Sequence, residues 1–110
     1  MMSVELFKLQ NVENDPEWII KEFFNSAYFQ GEFVSAVNSI AAGRSCVINE
    51  DYCLFADPEG PDPELYFDGV KFGIMNDQVV VTNEKCKTFL QGACSRYVEL
   101  HPEDREKLPK

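Results

Sequence analysis

The sequence predicts an α+β fold: two N-terminal helices, a small, mainly antiparallel sheet containing a hairpin, and a C-terminal amphipathic helix. Three observations lead there. Apolar residues recur every three to four positions across 18–28, 33–41 and 86–98, the mark of amphipathic helices. They alternate in twos across 70–74, the mark of a half-buried strand. The helical stretches are grouped before and after the β-like ones instead of alternating with them, so a parallel βαβ layout is not expected. The 110 residues, 45% of them apolar, form one expected domain over 1–110 with a real core and frayed ends.

Each element has local reasons. Residues 1–13 are mixed and read as a short edge strand or an arm. Asn14-Asp15-Pro16-Glu17 reads as a helix start: Asp15 can cap, and Pro16 suits a position whose N–H needs no partner. Trp18, Ile19, Ile20, Phe23, Phe24, Ala27 and Tyr28 give this helix an unusually broad apolar face, and Gly31 stops it. A second helix is expected from about Glu32 to Ala42, ended by Gly43. Cys46–Ile48 and Tyr52–Phe55 read as a hairpin. The clearest β signal is 69–82, two strand-like runs about a turn placed at Asn76-Asp77, whose residues tolerate positive φ. Asn83 is expected to cap the last helix and Pro102 to end it or restart a short turn.

The net charge is −9, from 19 acids and 10 bases. That argues against direct binding of nucleic acid, which needs clustered Lys and Arg. The charge is unevenly spread. Residues 45–70 carry seven acids (Glu50, Asp51, Asp57, Glu59, Asp62, Glu64, Asp68) and no base. General solubility accounts for an acidic total but does not require that concentration, which fits electrostatic attraction to a basic partner. Pro58, Pro61 and Pro63 remove backbone donors and keep the segment from being a central strand. A stiffened loop with partly preorganised carboxylates is expected.

Signals for catalysis are thin. The single histidine, His101, sits at an expected helix C-terminus, where it complements the dipole. Cys46, Cys53, Cys86 and Cys94 contain no C-x-x-C, so neither a zinc knuckle nor a thioredoxin-type motif is expected. Four cysteines could form two disulfides in a secreted protein, but with no signal peptide visible, reduced, packed thiols are expected. The acidic loop lacks calcium-loop spacing, and there is no glycine-rich phosphate cradle. No cofactor or metal is expected. A hydrolase using paired carboxylates would need a deep pocket with two converging acids. No apolar run nears the ~20 residues of a membrane span, and no signal peptide is visible, so a cytoplasmic location is expected.

One resemblance adds to this. The stretch "FDGVKFGIMNDQVVVTNEKCKTFLQGACSRYVELHPEDREKL" resembles the CdiI immunity proteins of bacterial contact-dependent growth inhibition, and more narrowly the ribonuclease toxin immunity group. It is carried by Gly69-Val70, Phe72-Gly73, Asn76-Asp77, Val79-Val80-Val81, Ala93-Cys94, Tyr97 and His101-Pro102-Glu103-Asp104, with "FFNSAYFQGEF" and Tyr52–Phe55 also similar. It covers most of 18–108, and its motifs mark the fold, not a catalytic site. The resemblance implies a non-enzymatic cytoplasmic protein of bacteria that binds the C-terminal toxin domain of a cognate CdiA, an RNase and in some cases EndoU-like. An RNase groove is basic, and an acidic partner can fill it with carboxylates in place of phosphates. Asp57, Glu59, Asp62, Glu64 and Asp68, with Tyr66 as an aromatic anchor, are the expected toxin-facing residues; Glu50 and Asp51 rank second. The competing readings are a variable loop facing water and an acidic module or adaptor for another basic partner.

Overall fold

The computed structural model describes Leu6, Phe7, Asp15 and residues 17–109. The expected strand or arm over 1–13 therefore lies outside the described residues, apart from Leu6 and Phe7. The elements run α1 (Trp18–Phe29), α2 (Phe33–Ala41), β1 (Cys46–Ile48), β2 (Asp51–Phe55), β3 (Val70–Ile74), β4 (Asp77–Val81) and α3 (Asn83–Leu100). The fold is α+β as the sequence predicts, with four antiparallel strands in the order β1-β2-β3-β4.

Both early helices end as their glycines require. Gly31 (φ 72°) follows α1, and Gly43 (φ 75°) follows α2. At each end two amides turn back. Glu32 N–H donates to Ala27 O and Gly31 N–H to Tyr28 O. Arg44 N–H donates to Ser39 O and Gly43 N–H to Ile40 O. This is the Schellman arrangement, which needs a left-handed residue at that point.

Three local expectations shift. Asp15 accepts from Glu17 N–H at 3.0 Å, but the N-cap position of α1 is Glu17. Thr82, and not Asn83, caps α3: its hydroxyl accepts from Lys85 N–H at 3.0 Å. The β3–β4 turn is Met75-Asn76, because Asp77 pairs with Ile74 as the first residue of β4. Met75 carries the positive φ, 53°. Pairing of Phe72 with Val79 and Val70 with Val81 puts apolar residues on one face, and that register fixes where the turn falls.

The core lies between α1 and one face of the sheet. Phe23, Phe24 and Phe72 are fully buried and meet with ring centroids 5.4–6.1 Å apart. α1 contacts all four strands, and α2 and α3 pack beside it. Asn25, 1% exposed, accepts from Phe7 N–H at 2.9 Å and donates to Phe7 O at 2.8 Å, holding that residue to α1. A 3-10 segment, Pro102–Lys107, follows α3; Leu108 is buried, and Asn38 Nδ2 donates to Lys107 O at 2.8 Å.

Candidate functional site

Strand alternation gives the sheet a second face. Val47, Tyr52, Leu54, Lys71, Gly73, Gln78 and Val80 point away from the helices, while Cys53, Val70, Phe72 and Val81 point into the core. Among the described residues no helix covers this outer face. The rows across it are Val47-Tyr52-Gly73-Gln78 and Leu54-Lys71-Val80. Gly73 is there because Tyr52 lies over it; a Cβ would collide with the tyrosine ring.

The acidic loop, Ala56 to Gly69, borders the same face and is folded. Asp57 N–H donates to Leu65 O at 2.8 Å, closing its base. Gly60 N–H donates to Asp57 O at 3.1 Å, and a Cβ at Gly60 would strike the Asp57 carboxylate. Asp62 caps a 3-10 turn, Pro63–Leu65, by accepting from Glu64 N–H at 3.0 Å. Pro63 fits the first position of that turn, as its missing donor and fixed φ suggest. Tyr66 Oη donates to Gly60 O at 2.5 Å. Lys71 ties the loop to the sheet: its Nζ donates to Glu64 O at 3.3 Å and stands 4.7 Å from the Phe67 ring centroid. The prolines and these bonds restrain the chain that carries the carboxylates.

Asp57, Glu59, Asp62, Glu64 and Asp68 are all exposed, and Tyr66 is half exposed. Glu50, in the β1–β2 turn, is exposed too. Glu50 and Glu64 line one shallow depression of about 440 Å³ on the outer face, together with Val47, Tyr52, Leu54, Lys71 and Gln78. Asp51 is elsewhere. It is 4% exposed on the core side of β2, and burial pushes its carboxyl above the ordinary range, with the Glu50 charge adding and Ser26 opposing. Strand alternation is the reason: the residue after the turn faces inward.

Electrostatically the region is uncompensated. The ion pairs among the described residues are Lys21–Asp15 at 2.7 Å, Lys85–Glu17, His101–Glu103 at 3.5 Å and Lys107–Asp104 at 3.1 Å. All lie outside 45–70, so none of its seven carboxylates is neutralised in this way. Among the described residues, four of the five large exposed apolar ones, Val47, Tyr66, Met75 and Val80, are on the outer face, its hairpin tip or this loop. The sequence predicts the acidic loop but not the apolar outer face. Only the alternation of short strands could have shown it, and Val47 and Val80 look like core β-residues when read alone.

The other chemistry-bearing groups have structural uses. All four cysteines are free; burial pushes the Cys46, Cys86 and Cys94 thiols up to about 11 and Cys53 higher. They are protonated, packed groups. His101 caps α3, its N–H donating to Tyr97 O at 2.7 Å, and its Nε2 is 2.8 Å from Tyr28 Oη. A cavity of about 510 Å³ opens between α2, α3 and the sheet, near Ile40, Phe55, Cys86 and Leu90. No carboxylate among the described residues lines it, so it lacks the acid pair of hydrolase chemistry. No helix among the described residues is long and apolar enough to cross a membrane.

The fold is thus an α+β domain with one sheet face uncovered by helices and, beside it, an acidic loop that makes no ion pair among the described residues. The chain belongs to the CDI immunity protein family, whose pattern matches residues 16–110. Membership implies a cognate CdiA toxin domain as partner. No curated protein matches the chain.

Proposed function

We propose that this protein neutralises an RNase toxin, the C-terminal domain of the CdiA encoded beside it, by covering the toxin's basic substrate groove. It acts by binding, without catalysis, in the cytoplasm of the producing cell and its siblings. Asp57, Glu59, Asp62, Glu64 and Asp68 stand in for RNA phosphates, Tyr66 gives an aromatic anchor, and Glu50 extends the surface. Asp51 is left out because it is buried. The observation that carries this reading is the seven-carboxylate, base-free segment without an ion pair. Carboxylates already held in a folded loop lose little freedom on docking, and charge-assisted bonds to Arg and Lys orient the partner.

Co-expression with the adjacent toxin domain tests the function. Growth rescue and a co-purified complex are expected; failure to protect would sink the assignment. The loop is tested by Asp62→Lys with Glu64→Lys. Toxin association should slow by tenfold or more and lose most of its salt dependence. Unchanged kinetics would remove the loop from the interface.

A further inference from the structure

A standard protein interface spreads over roughly 20–30 residues and about 800 Å² on each partner. Six loop residues with Glu50 are too few for that. Whatever docks on the loop therefore covers adjoining surface, and the loop is tied by Lys71 to the outer sheet face. That face carries two features a free surface does not need. Val47 is 64% exposed and Val80 44% exposed, on neighbouring rows of the sheet. Between them the end of the Tyr52 ring lies over Gly73, an arrangement that exists only because residue 73 has no side chain. The resulting depression is lined by Val47, Tyr52 and Leu54 together with two carboxylates, Glu50 and Glu64. Its own cation, Lys71, is already engaged with Glu64 O and the Phe67 ring.

We infer that the uncovered sheet face is the second half of the docking surface and takes a segment of the toxin bearing arginine or lysine. Their aliphatic stems lie over Val47, Tyr52 and Leu54, and their charged heads meet Glu50 and Glu64. Long basic side chains suit such a site because they pair an apolar stem with a charged end. An arginine can also stack on the Tyr52 ring. The acidic loop and the sheet face then bind one continuous basic surface, the loop supplying attraction at a distance and the sheet supplying desolvated contact. This inference rests on the proposed toxin partnership, and its test separates the two.

Gln78 lines the depression on β4, is exposed and lies outside the acidic loop. Gln78→Lys and Gln78→Glu place opposite charges at one position with little risk to folding. Binding to the purified adjacent toxin domain is read by surface kinetics, with thermal melts as the check on folding. Gln78→Lys should weaken the complex by tenfold or more, and Gln78→Glu should bind at least as tightly as the wild type. Val47→Asp should speed dissociation by a similar factor. Glu99→Lys, an exposed change on α3, should have no effect. If the Gln78 pair and Val47→Asp all bind like the wild type while the loop variant is weakened, the sheet face is not the interface and the function stands. If the wild type itself does not bind the toxin, both the function and this inference fall.

Discussion

Asp51 differs from the other six carboxylates of 45–70 in facing the helices. Its Oδ1 has no hydrogen-bond partner among the described residues. Burial, with the Glu50 charge adding and Ser26 opposing, leaves its folded pKa above the ordinary 3.8. A carboxyl raised in this way destabilises the fold only when ionised. The cost is absent below the unfolded pKa and grows as pH rises through the folded one. Asp51→Asn should therefore raise the Tm at pH 7 by a few degrees, and the gain should shrink toward pH 4. Melts followed by circular dichroism check this; an equal gain at both pH values would show that charge is not the cause. In sequence Asp51 is indistinguishable from Glu50. Which of two adjacent acids meets solvent is set by strand register, which composition does not encode.

At the level of elements, the helix ends were legible because their chemistry is local. Gly31 and Gly43 are read directly as left-handed stops. Gly43→Ala meets no clash, since nothing lies within 4 Å of the new Cβ. It should still cost about 1 kcal/mol for the left-handed conformation, measured by urea unfolding. The β3–β4 turn, Met75-Asn76, lies one residue before the Asn76-Asp77 that local preference predicts. Asn76-Asp77 suits positive φ on its own, but cross-strand burial sets the register and leaves the positive φ to Met75. The short turn that Pro102 restarts is a 3-10 segment, Pro102–Lys107, and Tyr97 contacts it. The Tyr97 hydroxyl donates to Asp104 Oδ2 at 2.6 Å, and its ring stacks on Phe33 at 4.4 Å. That hydroxyl, and then Lys107, hold the Asp104 carboxyl below its ordinary range. This contribution is present above the unfolded pKa and is lost as pH falls. Tyr97→Phe should let the Asp104 pKa rise toward 3.8 in an NMR titration and lower the Tm at pH 7 by several degrees. An unmoved Asp104 titration would show that Tyr97 does not hold it.

Across the whole molecule, charge and apolar exposure converge on one side. The helices cover one sheet face, and the base-free segment borders the other. On the proposed function, attraction between this side and a basic toxin is long-ranged and screened by salt. Association with the toxin should slow at least tenfold between 50 mM and 500 mM salt, while dissociation changes much less. Stopped-flow mixing reads both rates; a salt-independent association rate would mean that the acidic loop does not steer the encounter.

The sequence by itself determined the α+β class, the helices and their glycine stops, the acidic loop and its proline stiffening. Each depends on neighbours a few positions apart: a repeat period, a φ only glycine adopts readily, a donor that proline lacks. It also carried enough of the family's pattern for the resemblance to CDI immunity proteins to be visible. Only the tertiary structure decided that Asp51 is buried while Glu50 and Glu64 share a depression, that Tyr52 lies over Gly73, and that Val47 and Val80 are exposed. Those facts depend on which residues meet across strands and on which sheet face the helices cover. Such pairings join distant parts of the chain and are settled by packing the core as a unit, so no local stretch of sequence contains them.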